Sequence, residues 1–108
     1  MLESRRVQKD NQNIENIVNT KNPIYYYGIT CPYCRELEKF IEENKVEEKV
    51  TLTKKEVYEN QQNANELAKV AKYCGINSSE VGLPFILADK KCYVGLDEAR
   101  NYLSSYLK

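Results

Sequence analysis

Cysteines at positions 31 and 34 enclose Pro32 and Tyr33 in the stretch ITCPYCREL, residues 29–37. Two thiols at this spacing can grip a metal, close a structural bridge, or exchange electrons with other disulfides. The rest of the side-chain inventory narrows the choice. The chain of 108 residues contains no histidine, which removes the usual general base, the commonest metal ligand and any Cys-His or Ser-His nucleophile pair. Chemistry here must rest on cysteine, tyrosine, carboxylates or backbone groups.

Zinc would draw on all four cysteines, but Cys31, Cys34, Cys74 and Cys92 do not form two close knuckles. No metal ligand is therefore assigned. A purely structural bridge between Cys31 and Cys34 would close a loop too short to restrict the unfolded chain much. Redox exchange is the reading that a Cys-x-x-Cys beside a βαβ pattern favours.

The surrounding elements supply that pattern. Residues 1–10 lack an apolar period and form a loose lead-in to a domain spanning 11–108. Ile14, Ile17 and Val18 recur at helical spacing within 13–20, and Pro23 ends that helix. Ile24 to Tyr27 is a run of β-formers stopped by Gly28. After Pro32 the period turns helical, with Cys34, Leu37 and Ile41 on one stripe and Phe40 beside it. Val50, Leu52 and the neighbouring threonines alternate as a strand. Ala64, Leu67, Ala68 and Ala71 mark another helix, with Gly75 placed to stop it. Pro84 opens the strand Phe85 to Leu87, Asp89 to Lys91 turns, and Cys92 to Val94 returns. Gly95 precedes a last helix with Asp97 and Glu98 in its first turn and Ala99, Leu103 and Tyr106 on its buried stripe.

A βαβ unit followed by ββα gives a four-stranded mixed sheet with helices on both faces, an α/β layer architecture. The cysteine pair sits where the first strand gives way to a helix. Pro32 suits the first helical turn. Cys31 then stands at the helix N-terminus, whose unpaired N–H groups and positive dipole end favour a thiolate, and Arg35 adds a positive charge one turn on. Cys34 lies on the buried stripe. One exposed nucleophile and one sheltered resolving thiol is the asymmetry that thiol–disulfide exchange uses.

Sixteen basic residues balance sixteen acidic ones, so no net field draws the chain to nucleic acid or anionic lipid. The polar N-terminus lacks a secretory signal's apolar stretch, and no apolar run approaches the ~20 residues needed to span a bilayer. The expectation is a cytoplasmic monomer without membrane contact. Tyr25, Tyr26 and Tyr27 are expected to pack against helices with their hydroxyls reaching solvent, the alternative being that one lines the thiol site. Cys74 and Cys92 are expected to be small buried residues, with a second bridge as the alternative.

Cys31-Pro32-Tyr33-Cys34 after a strand, Leu83-Pro84 before another, and Gly95-Leu96-Asp97-Glu98 opening the last helix together resemble the glutaredoxins, from about Asn11 to Leu107. The resemblance implies a thioredoxin-like fold and reduction of disulfides, commonly mixed disulfides with glutathione. It makes Cys31 the attacking and Cys34 the resolving cysteine. It makes Pro84 a cis-proline packed on the dithiol, with the backbone of Leu83 free to pair with an extended substrate. It assigns Tyr33, Leu83, Pro84, Gly95, Asp97 and Glu98 to substrate or glutathione binding. No tightly bound cofactor is implied; glutathione or another low-molecular-weight thiol serves as co-substrate, and the partners are disulfide-containing proteins or small thiols. The sequence departs from the family where Gly28, Ile29 and Thr30 stand in place of a lysine and Val94 in place of a glycine, which implies weaker glutathione binding. An oxidase or isomerase on the same fold, or a metal or iron–sulfur carrier, is the competing function.

Overall fold

The computed structural model describes residues 14–107. The lead-in of residues 1–10 lies outside the described residues. Residues 14–18 are helical (α1), followed by β1 (Ile24–Tyr27), α2 (Pro32–Glu43), β2 (Thr53–Glu56), α3 (Gln61–Tyr73), β3 (Phe85–Ala88), β4 (Lys91–Val94) and α4 (Gly95–Ser104). The sheet order is β2-β1-β3-β4, with β1 parallel to β2 and antiparallel to β3, and β3 antiparallel to β4. This is the mixed four-stranded sheet that the element order predicts. No helix among the described residues is long and apolar enough to cross a membrane.

The two faces of the sheet follow from the two-residue period of its central strands. Tyr25 and Ile86 point to the side covered by α2 and α4, where they meet Leu37, Ile41, Ala99 and Leu103. Ile24 and Tyr26 point the other way with Phe85 and Leu87, against Val18, Leu67 and Val70. All of β3 is buried, as a strand between two neighbours and two helical layers must be.

Three local expectations need correction. The strand expected at Val50 and Leu52 lies further on, at Thr53–Glu56. Val50 and Leu52 still pack into the core, but from the approach that follows a 3-10 turn at Val46–Glu48. β2 is an edge strand bearing Thr-Lys-Lys-Glu, so apolar alternation does not mark it. In α3 the buried stripe is Leu67, Val70 and Ala71, and Ala68 faces solvent because the larger Val70 takes the core side. Tyr106 lies beyond α4 in a 3-10 turn and is only half-buried, its hydroxyl paired with that of Tyr102 at 2.6 Å.

Cys74 and Cys92 are joined in a disulfide, contrary to the expectation of two unlinked small residues. The cause is topological. Asp89 and Lys90 both take positive φ, at 51° and 65°, the conformation that closes a tight two-residue hairpin. That turn folds β4 back beside β3, leaving Cys92 with its Cα 6.2 Å from that of Cys74 at the end of α3.

Candidate active site

Gly28 ends β1, and its carbonyl accepts the Cys31 N–H at 3.1 Å in the tight turn into α2. Cys31 is the N-cap residue, extended at φ −80°, ψ 117°, and Pro32 begins the helix. With the helix launched this way, the Cys31 sulfur accepts the backbone N–H of Cys34 at 3.3 Å. The thiol thus serves as the side-chain cap that Ser or Asp usually provides. The sulfur also lies 3.9 Å from the Leu83 carbonyl, and the Leu83–Pro84 bond is cis.

Both thiols are free and both are buried, Cys31 at 5% exposure and Cys34 at 2%. The expectation of an exposed Cys31 is therefore overturned: packing of the helix start against the Leu83–Pro84 loop buries it almost as fully as Cys34, and the two differ in position instead. Cys31 lines an open groove of about 840 Å³, whereas Cys34 lies behind it and contributes nothing to that wall. Burial, then the hydrogen bond and charge of Cys31, push the Cys34 thiol up to about 12 from 9.0.

The groove gathers most of the residues singled out in the sequence. Tyr33, Leu83, Gly95, Asp97 and Glu98 line it together with Cys31. Pro84 is fully buried rather than lining it, and its carbonyl accepts the Gly95 N–H at 2.8 Å, which ties the start of α4 to the cis peptide. Gly95 has φ +89°, a region where a side chain would be strained. One oxygen of Glu98 is occupied, accepting the Val94 N–H at 2.9 Å. Asp97 is exposed and pairs with Arg100 at 3.3 Å.

The tyrosines of β1 behave differently from expectation. Tyr25 and Tyr26 are completely buried, so neither hydroxyl reaches solvent. Tyr25 reaches under α2 and donates to the Cys34 carbonyl at 3.4 Å. Burial, and then the nearby Cys34, raise its pKa well above the phenolic range. Tyr26 donates to the Glu66 carboxylate, which also holds the Lys55 ammonium at 2.7 and 2.9 Å. Packing against the helices is as expected, and Tyr25 takes up the stated alternative, a phenol beside the thiol pair.

Tyr58 and Glu56 are site residues that sequence reasoning missed. The Tyr58 ring lies so close to Gly28 that a Cβ there would come within 2.3 Å of its Cε2. Tyr58 also lines the groove. Its hydroxyl faces the dithiol; desolvation and then the charges of Cys31 and Cys34 raise its pKa. Glu56 holds the loop that carries it. One carboxylate oxygen accepts the N–H groups of Ile29 and Tyr58 at 2.9 Å each, and the other accepts that of Glu59 at 2.7 Å. A glycine ending a strand and a tyrosine thirty positions on give no sequence signal of this meeting.

Among the described residues, no three or more Cys, Asp or Glu side chains converge to hold a metal ion. Two sulfurs alone fall short of a four-ligand zinc site.

The backbone matches solved glutaredoxin structures, three of which follow. A buckwheat glutaredoxin, solved as its glutathione complex, aligns at TM-score 0.61 and 14% identity over 95% of this chain and 87% of that one. Oxidized glutaredoxin 2 from Chlamydomonas reinhardtii aligns at 0.60 and 18% over 93% and 87%. The holo form of glutaredoxin C1 from Populus tremula x tremuloides aligns at 0.60 and 14% over 92% and 95%. The fold is the thioredoxin-like fold of the glutaredoxins. No protein-family model and no curated protein matches the sequence. On this glutaredoxin fold, the Cys31–Cys34 pair stands at the junction of β1 and α2 beside the cis-proline loop.

Proposed function

We propose that the protein is a thiol–disulfide oxidoreductase that reduces disulfides through Cys31 and Cys34. One observation carries the reading. The Cys31 sulfur sits at the N-terminus of α2, accepting a backbone N–H, on the wall of an open groove with Cys34 directly behind it.

In this reaction the Cys31 thiolate attacks one sulfur of a substrate disulfide. The substrate S–S bond breaks, the departing thiolate takes up a proton, and a mixed disulfide remains on Cys31. Cys34 then loses its proton, attacks the Cys31 sulfur and expels the second substrate thiol. The substrate has gained two electrons and the protein holds a Cys31–Cys34 disulfide. Two equivalents of a small thiol restore the dithiol. Glutathione or another low-molecular-weight thiol suits that role, and the glutathione bound to the buckwheat protein supports it. Tyr33, Leu83, Gly95, Asp97 and Glu98 are the residues proposed to hold the substrate, with Pro84 supporting the wall from behind. The substrates are disulfide-containing proteins or small mixed disulfides, and the enzyme acts as a cytoplasmic monomer with 11–108 as its domain.

A second reading runs the same chemistry in reverse, as an oxidase or isomerase. The Cys74–Cys92 bridge favours it, because permanent disulfides belong to oxidising compartments. Reduction of an insulin-type protein disulfide by the native protein, and its loss in Cys31→Ser, test the first reading. A reduction potential of about −200 to −230 mV accords with the reductase and one near −120 mV with the oxidase.

A further inference from the structure

Around Cys31 the groove wall is unevenly charged. Among the described residues that line it are two carboxylates, Asp97 and Glu98, and no lysine or arginine. Arg100 pairs with Asp97 but is not part of the wall, and Arg35 lies on the exposed side of α2. Glu98 spends one oxygen on the Val94 N–H and retains its charge. Two phenol rings, Tyr33 at 63% exposure and Tyr58 at 55%, complete the surface around the sulfur.

A side chain at residue 28 would have to push the Tyr58 ring aside. Residue 28 immediately precedes the turn to Cys31, and the Tyr58 ring occupies the space in which a side chain there would begin. The backbone that carries the ring is held by Glu56, whose carboxylate accepts the N–H groups of Tyr58, Glu59 and Ile29 and so joins the Tyr58 loop to the residue next to Gly28.

Resting on the disulfide-reductase reading, we propose that Tyr58 is a specificity-determining residue. Laid over Gly28, it denies the groove a cation and leaves Asp97 and Glu98 to select disulfides whose cysteine carries a neighbouring ammonium or guanidinium group. Glutathione carries two carboxylates and one ammonium group, so it is disfavoured as a substrate half relative to a cationic thiol. The phenol faces of Tyr33 and Tyr58 assist by cation–π attraction.

The native full-length protein tests this directly. One cysteine peptide is converted to its mixed disulfides with cysteamine, with 3-mercaptopropionate and with glutathione. Each kcat/KM is divided by the rate of the same compound with dithiothreitol, which removes intrinsic differences in reactivity. The cysteamine adduct should be preferred over the carboxylate adduct by about tenfold at low salt. The preference should collapse near 1 M salt, where the screening length is only about 3 Å. Opening the space with Tyr58→Ala together with Gly28→Lys should turn the preference toward the anionic adducts, mainly through KM. Gly28→Lys with Tyr58 in place should shift it less. Equal or anion-favouring turnover by the native protein overturns the proposal and leaves the reductase reading intact. No turnover of any adduct overturns the reductase reading and this proposal with it.

Discussion

The backbone N–H of Cys34 points at the sulfur of Cys31, 3.3 Å away, so that Cys31 caps the helix turn that carries Cys34. Cys34 itself has its thiol pushed up to about 12, first by burial. Alkylation between about pH 7 and 10 should therefore mark Cys31 well before Cys34. Cys34→Ser should trap a covalent substrate adduct on Cys31, visible by peptide mass. Labelling of both cysteines at the same rate, or an adduct on residue 34 of the native chain, would reverse the roles.

Glu56 offers a pH-dependent test. Burial works against its ionised form, but N–H groups from Glu59, Ile29, Tyr58 and Asn60 together hold the carboxyl below its ordinary range. A carboxylate depressed in the folded state stabilises above its unfolded pKa and loses that contribution as pH falls through the folded value. Glu56→Gln should lower Tm at neutral pH and leave it nearly unchanged in acid. A Tm difference that persists undiminished in acid would show that charge is not what holds the two loops.

Beneath α3, Tyr26, Glu66 and Lys55 form a chain of polar contacts in which the phenol is wholly buried. Tyr26→Phe removes the hydroxyl from a charged acceptor and should cost about 1.5 kcal/mol in urea unfolding. A loss below about 0.5 kcal/mol would mean that the Lys55 ammonium alone satisfies the carboxylate.

The Cys74–Cys92 bridge links residues separated by 18 positions. Replacing both cysteines by alanine should cost about 3 kcal/mol, since a loop of this size is released in the unfolded chain. Disulfide reduction through Cys31 should survive the double replacement. Denatured protein with Cys31 and Cys34 reduced should show two reactive thiols, since the other two cysteines are bridged. Four thiols in that titration would contradict the bridge.

Much of the fold is legible in the sequence because its central elements obey their periods. Ile24–Tyr27, the helix after Pro32 and the hairpin around Asp89 all stand where the residue pattern puts them. β2 escapes the pattern because an edge strand is stabilised by one neighbour and by ion pairs, not by alternate burial. The residues predicted around Cys31 converge because they sit at element ends, where motif and geometry coincide. Tyr58 and Glu56 are invisible for the opposite reason. They act on the site through a ring-on-glycine approach and three backbone hydrogen bonds, neither of which leaves a spacing rule.

Among the described residues, strand β2 has no neighbour on one side of its backbone, and its two lysines are anchored on opposite faces of the sheet. Lys54 is held by Glu38 and Glu47 at 3.5 Å each, and Lys55 by Glu66 at 2.7 Å. A second copy adding its own β2 to that border would set ammonium beside ammonium and would have to pull both from their carboxylates. Edge lysines of this kind act as gatekeepers against fibril growth. The border should therefore resist templating of cross-β stacks even in concentrated solution, a colloidal safeguard written into Thr-Lys-Lys-Glu rather than into the cysteine pair.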